Sequence, residues 1–416
     1  MNNEMKRVVI TGMGVISPVG NDVNTFWENL KAGKCGITRL EGFEEYNLPI
    51  HVAGRVKDFD PLKAGLTAAE KRRNDIYSQY ALAAAAQTMA DSGLVADENI
   101  TRERFGVYIG SGIGGIQTFV AQTKILFDEG ADRISPLFIP MMIPNIAGGN
   151  IAIKYDAQGP CLTHVSACAT GTNSIGEAYL AIKCGRADAI LAGGSEAAIT
   201  PLAIGGFANA KALTYEEDPA KACLPFDARR GGFVMAEGAG VLMLEEREHA
   251  LARGAHIYAE VCGYGCTCDA HHYTAPRPDG ITAGRALREA LDEAGYKAGE
   301  NLYINAHGTG THLNDSTETR AIKVALGEEE AHRASVSSTK SMHGHMFGAT
   351  GAVELIASAL ALKDGIVPPT VGLEEPDPEC DLDYTPGEAR KRDLDIAISN
   401  SLGFGGHNVC VALRRV

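Results

Sequence analysis

The sequence is poor in aromatic residues, has no long apolar run, carries no excess of positive charge and shows no ordered spacing of its cysteines. Phe, Trp and Tyr make up 6% of the 416 residues and Trp27 is the only tryptophan, so a large ring set between glycines stands out. No apolar stretch approaches the ~18 residues of a spanning helix. The opening MNNEMKR, followed by VVITGMGV, lacks the apolar core of a secretory signal, and together these features predict a cytoplasmic protein with no membrane segment. Ten cysteines without regular spacing fit reduced thiols better than a disulfide framework, and Cys266-Thr267-Cys268 has the wrong spacing for a zinc knuckle. A formal charge of −14 argues against a nucleic-acid partner, which needs a basic surface, but leaves room for a small basic patch facing an acidic partner. A hydrophobic content of 45% is enough for a sizeable core or two packed halves.

What is present is organised around 159–185, GPCLTHVSACATGTNSIGEAYLAIKCG. Residues 162–167 read as a short strand, and Ile175, Ala178, Tyr179 and Ile182 recur at helical spacing before Gly185 ends the helix. Cys168 therefore falls where a strand turns into a helix, beside unpaired first-turn N–H groups whose dipole lowers a thiol pKa. A reactive thiolate is one reading of Cys168, and a buried structural cysteine is the other.

The rest of the chain repeats one plan. Strand 7–11 ends in Gly12-Met13-Gly14, and a helix over 22–31 carries Phe26, Trp27 and Leu30. An alanine-rich helix over 76–91 ends near Gly93, and strand 105–109 runs into the glycines of 110–115, which match G-x-G-x-x-G. A dinucleotide site would pair that turn with an acid about 20 residues on, for which Asp132 is the candidate, but the pattern is weak. In the second half, 281–295 echoes the helix ending at Gly93, 302–306 the strand before Gly110, 334–365 the Cys168 stretch, and 394–406 the segment 187–196. Two similar α/β halves follow, 1–253 and 254–416, with an insertion at about 116–150 that caps the site or builds an oligomer contact. Helices so rich in small residues are expected between two sheets.

In such a duplicated fold, equivalent loops converge. Cys168 comes from one turn, His307 from Asn305-Ala306-His307-Gly308-Thr309-Gly310-Thr311, and His345 from Lys340-Ser341-Met342-His343-Gly344-His345. Together they pair a nucleophile with donors for an oxyanion or enolate. A metal bound by His343, His345 and His307 would lack carboxylate ligands. Phe404, between glycines in Gly403-Phe404-Gly405-Gly406, reads either as a core ring or, as a lone aromatic between glycines, as a cleft residue.

These motifs, SACATG, NAHGTGT, SSTKSMHGH and NSLGFGGHN, resemble the β-ketoacyl-acyl-carrier-protein synthases, in particular the type II elongating condensing enzymes. The resemblance runs end to end. It implies an α/β, thiolase-like fold of two pseudo-symmetric βαβαβαββ halves in a layered α/β/α/β/α sandwich, assembled as a homodimer. It further implies that Cys168 accepts the acyl group, His307 and His345 bind the malonyl thioester carbonyl, and Lys340 orders the site electrostatically. Asp315 and Glu318, with Thr309 and Thr311, match supporting positions. Phe404 resembles a gate, and Ile113 and Phe207 bound the acyl pocket, which makes the run 110–115 a pocket wall. Acyl- and malonyl-loaded carrier protein is expected on Lys71, Arg72 and Arg73, with Arg133 and Lys211 as neighbours. No metal or other cofactor is implied.

His343 and His407 stand where the family pattern has Thr, which is expected to add titratable groups near the site. Retention of Cys168 argues against inactive chain-length-factor relatives. His345 argues against starter-type enzymes, which use Cys-His-Asn, and against thiolases, which use a second Cys. The implied reaction is a decarboxylative Claisen condensation that lengthens a Cys168-bound acyl chain by two carbons in fatty-acid synthesis. The alternatives are a polyketide-type subunit, a non-catalytic scaffold on the same fold, and a hydrolytic cysteine enzyme.

Overall fold

The computed structural model describes residues 5–416. A β-branched run opens β1 (Val8–Ile16), every residue of which is buried. Gly12 and Gly14 let helix α1 (Ile76–Ser92) lie directly on it: a Cβ at Gly14 would stand 2.0 Å from the Ala84 carbonyl oxygen. The first half continues through β2 (Phe105–Gly110), α2 (Ile116–Glu129), α3 (Ile146–Tyr155), β3 (Cys161–Leu162), α4 (Thr170–Lys183), β4 (Ala189–Glu196), α5 (Pro201–Asn209) and β5 (Gly238–Glu246). The second half runs β6 (Ala259–Cys268), α6 (Ile281–Glu293), β7 (Leu302–Asn305), α7 (His312–Leu326), β8 (Ser335–Ser337), α8 (Thr350–Asp364), β9 (Ile396–Gly403) and β10 (His407–Arg414).

Strand order is β8-β7-β9-β10-β6-β1-β5-β4-β2-β3, which reads the same outward from its centre in both directions once equivalent strands are matched. The predicted layering is thus present with one refinement. The two five-stranded units are joined edge to edge by the pairing of Val8, Val9 and Ile10 with Val261, Glu260 and Ala259. Helices α4 and α8 pack against strands of both units, while α1 with α3, and α6 with α7, cover the outer faces. Small residues permit the central layer: a Cβ on Gly351 would meet Thr172 Oγ1 at 1.9 Å, and Thr350 to Leu362 are all buried. The alanine-rich α1 is buried on an outer face, not between sheets as its composition predicts.

Two other expectations change. Of the predicted strand 162–167 only Leu162 pairs in the sheet, together with Cys161 just before it, because the Thr163 hydroxyl bonds the Ile109 carbonyl at 3.0 Å and draws the chain off the ladder. The insertion forms α2, a short helix Phe138–Met142 and the start of α3, and α2 buries none of its residues in this chain. It is tied down by Asp75, whose carboxylate accepts from Thr118 N at 2.8 Å and Thr118 Oγ1 at 2.6 Å.

Candidate active site

Turns from both halves converge on a cavity of about 390 Å³ lined by Cys168, His307, His345 and Phe404, with Ile113, Phe207, Thr309, Thr311 and Lys211 also in its wall. Cys168 is half-buried in the single turn Ala167–Ala169 that leads into α4, with Ala167 held at φ +50°. That left-handed backbone is strained for a residue with a Cβ, and such strain concentrates at sites. The helix position predicts a lowered thiol pKa, but burial overrules it. Desolvation pushes the Cys168 thiol up to about 12, against the pull of the Lys340 ammonium and the Phe404 amide. The resting sulfur is a neutral thiol.

The second half supplies the histidines. Glu318 grips the His307 loop from behind, accepting from His307 N and Gly308 N at 2.7 Å each, and from Asn400 Nδ2 at 2.7 Å. Asp315 accepts from Thr309 N at 3.2 Å and Phe226 N at 2.8 Å, with Arg230 Nε 3.6 Å away. The Thr309 and Thr311 hydroxyls lie 3.0 Å apart. These four residues shape the loop's backbone.

His345 sits with Nδ1 3.1 Å from Thr350 Oγ1, and its ring meets that of His307 edge-on at 5.4 Å. His345 Nε2 and His307 Nδ1 are buried and have no hydrogen-bond partner among the described residues. An unpartnered buried nitrogen is costly unless a ligand satisfies it. Burial holds both imidazoles well below their ordinary pKa, reinforced by the Lys340 charge, so both are neutral.

Lys340 is fully buried behind them, with Nζ 2.6 Å from Glu354 Oε1. Burial pushes the Glu354 carboxyl up to about 7 in spite of that ammonium. Glu354 was not among the residues the sequence motifs single out. Its only signal is that it is the sole charged residue of α8 before Lys363. Also outside the motifs are Phe233 and Phe347, which line the cavity with ring centroids 5.3 Å and 5.1 Å from His345. Phe207 stacks on Phe347 at 5.0 Å and lies 6.4 Å from Phe404.

Other predicted features fall elsewhere. The dinucleotide reading of 110–115 fails because its amides are already used: Gly112 N and Ile113 N donate to Glu196 at 2.8 and 3.2 Å, and Asp132 lies in an exposed turn. His343 is buried away from the cavity, with Nε2 3.0 Å from Thr339 Oγ1 and Nδ1 2.7 Å from the Gly344 carbonyl. Desolvation lowers it to about 3, so it adds no titrating group at neutral pH. His407 does not line the cavity, although its Nε2 would be 3.1 Å from a Cβ on Gly405. Among the described residues no group of three or more His, Cys, Asp or Glu converges as a metal site. Lys71, Arg72 and Arg73 are exposed on a short helix, Ala68–Arg73, and Arg133 is exposed 3.6 Å from Glu129. Of the five basic residues only Lys211 reaches the cavity wall.

Comparison with known proteins agrees along the full length. Residues 5–250 match the N-terminal domain model of the β-ketoacyl synthases, and residues 258–374 match the C-terminal one. The chain is 50% identical over 413 residues to a 3-oxoacyl-[acyl-carrier-protein] synthase 2 of Staphylococcus aureus, covering 99% of both chains. It is 50% identical over 415 residues to that of Synechocystis, covering 100% of this chain and 99% of the other. A β-ketoacyl synthase from Burkholderia phymatum superposes with a TM-score of 0.92 at 36% identity, covering 99% of this chain and 100% of that one. A type II polyketide ketosynthase, solved with its acyl-carrier protein and bound to a hexaketide, superposes at 0.90, again at 36% identity and covering 99% and 100%.

Proposed function

The chain belongs to the β-ketoacyl synthase family and is an acyltransferase that elongates acyl chains in fatty-acid synthesis, and we propose that its chemistry is divided between Cys168 and the two cavity histidines. Cys168 Sγ attacks the acyl thioester of a carrier protein. Its proton ends on the departing carrier thiol. The amides of Cys168 and Phe404 stabilise the oxyanion. Malonyl thioester then enters, loses CO₂, and the resulting enolate attacks the acyl-Cys168 carbonyl, releasing the lengthened chain and the Cys168 thiolate, which takes a proton from solvent. His307 and His345 donate to the enolate oxygen.

The observation that carries this reading is the pair of neutral histidines with unpartnered buried nitrogens on the same cavity as Cys168. A cationic imidazole would hold the malonyl carboxylate in place, whereas a neutral N–H donor favours the charge that forms only as CO₂ departs. Burial, reinforced by the Lys340 charge, keeps them neutral, and Asp315, Glu318, Thr309 and Thr311 position the His307 loop. Phe404 gates malonyl entry, and Ile113 and Phe207 bound the acyl chain.

The reading includes a division into halves 1–253 and 254–416, a cytoplasmic setting that keeps Cys168 reduced, and a homodimer. Support for the dimer comes from the outer edge of strand β3, which no strand among the described residues covers, and from the exposed apolar side chains near it, Ile153 at 80% and Val165 at 55%. Among the described residues no helix is long and apolar enough to cross a membrane. Carrier protein docks at Lys71, Arg72 and Arg73, with Arg133 and Lys211 nearby. Mass spectrometry of products from a panel of acyl-carrier thioesters with malonyl-carrier tests the whole: the expected product is longer by two carbons. Free acid would instead mark a hydrolase, and an unacylated, inert Cys168 a scaffold.

A further inference from the structure

The two halves keep the same turn but use it differently. Ser166-Ala167-Cys168-Ala169-Thr170-Gly171 corresponds to Met346-Phe347-Gly348-Ala349-Thr350-Gly351, and both contain one turn of helix opened by a strained residue, Ala167 at φ +50° and Phe347 at φ +46°. Cys168 therefore has Gly348 as its twin. The strands that end beside these turns, β4 and β9, are equally long, so Glu196 corresponds to Gly403. At the first half's turn a Cβ on Gly403 would lie 3.4 Å from the Cys168 amide nitrogen, and its absence leaves that amide open to a reacting oxygen. At the second half's turn the Glu196 carboxylate takes the corresponding place and accepts from Gly348 N at 3.1 Å.

Glu196 is fully buried and makes three more bonds, all to the segment that leaves β2. Ser111 Oγ donates at 2.9 Å, Gly112 N at 2.8 Å and Ile113 N at 3.2 Å. One carboxylate thus clamps the Ile113 wall of the cavity to the Phe347-Gly348 turn, whose Phe347 ring stacks on His345. Glu196 itself does not line the cavity, so it touches no substrate. Burial pushes its carboxyl up to about 7 despite those four donors. A buried acid of that kind is costly to keep in place of an apolar residue.

We infer that Glu196 is a positioning residue for chain-length selection: an internal anion seated on the second half's unused oxyanion amide, which sets where the Ile113 wall stands against Phe347. This rests on the reading of the cavity as an acyl pocket. Glu196→Gln keeps the shape but turns one acceptor oxygen into an NH₂ group facing N–H donors, which releases the clamp. Ser111→Ala removes one donor and is the milder variant.

The test is acylation of Cys168 in the full-length protein by acyl-pantetheine thioesters of graded length, read by intact mass as kcat/KM for each donor, with Tm alongside. A rigid wall separates chains that differ by one or two methylenes by roughly 10-fold or more. We expect E196Q to flatten that step by about tenfold while leaving the shortest donors little changed, and S111A to do the same less strongly. Equal losses for all donors, tracking a lower Tm, would make Glu196 a structural residue and overturn the inference, as would an unaltered length profile. If E196Q does not fold, S111A carries the same comparison alone. A wild-type protein that takes no acyl group on Cys168 would instead overturn the functional reading on which this one rests.

Discussion

At the residue scale, burial decides the protonation states that the chemistry uses. A thiol pushed up to about 12 is almost wholly protonated at neutral pH. Its reaction with a small alkylating agent should therefore rise about tenfold per pH unit across the neutral range, because only the thiolate reacts. A plateau below pH 8 in the alkylation rate would show that the helix terminus and Lys340 outweigh burial after all. The proposed roles also separate the half-reactions. Cys168→Ala should take no acyl group yet still decarboxylate malonyl thioester, while His307→Ala or His345→Ala should acylate and lose on the order of 10² to 10³ in CO₂ release. The double histidine change should fall far short of the product of the two, since both act on one oxygen. Intact mass and CO₂ release, measured on each variant, check this. Loss of acylation in His345→Ala with decarboxylation kept would make His345 the base for Cys168 instead.

At the element scale, the turns that follow strands carry the site, and each is shaped by a neighbour distant in sequence. The 403–406 turn is held by Gly405 N donating to the Tyr273 carbonyl at 2.8 Å, and in the proposed gating role the Phe404 ring is what moves. Phe404→Ala should therefore slow condensation more than acylation in single-turnover assays. Ile113→Phe should shorten the accepted chain, and an unchanged product length would remove Ile113 from the pocket wall. These turns were legible in the sequence because Cys168, His307, His345 and Phe404 each stand beside glycines after a strand. The repeated order of strands and helices was legible for the same reason. What holds the turns was much less so. Glu196 ends a strand and Glu354 sits within a helix, and a carboxylate in either place belongs to no motif until its partners, 14 residues or more away, are known. The strand expected over 162–167 failed on one side-chain bond from Thr163, which β-propensity does not register. The thiol pKa was misjudged because a sequence shows a helix terminus but not how deeply it is buried.

At the scale of the whole molecule, the site's buried charges make stability depend on pH. His343, lowered to about 3 from an ordinary 6.5, stays neutral in the fold but takes a proton in the unfolded chain. Its contribution is complete above pH 6.5 and is lost as pH falls toward 3. Glu196 and Glu354, raised to about 7 from an ordinary 4.5, act oppositely, their contribution being present below 4.5 and lost as pH rises toward 7. His343→Thr isolates the first effect. It should cost stability at neutral pH through its two lost buried bonds, yet the change in Tm between pH 7 and 4 should be smaller than in the wild type. A parallel pair of Tm curves would mean that His343 is protonated in the folded state.

The molecule's acidity also bears on how it meets its partner. With a net charge of −14, its long-range field would repel an acidic carrier, so the proposed docking has to rely on a local basic surface. Lys71, Arg72 and Arg73 are consecutive, exposed and engaged in no ion pair among the described residues, and the helix that presents them is fixed at its start by the Thr67–Glu70 capping box. Its end is fixed by Asn74 Nδ2 bonding the Glu70 carbonyl at 2.9 Å. Three like charges on one short, anchored helix form a rigid patch, and rim charges of this kind govern association rate and salt dependence more than chemistry. Replacing Arg72 and Arg73 together by Glu should raise KM for acyl-carrier and malonyl-carrier substrates by roughly tenfold at low salt. The loss should shrink as ionic strength rises, because the wild type loses its advantage when the field is screened. Acyl-pantetheine, which has no carrier surface, should react at the wild-type rate in the same variant. Equal losses with pantetheine and carrier substrates would mean that the substitutions disturb the cavity through Asp75 and α2, and the docking surface would then have to be sought at Lys211 and Arg133.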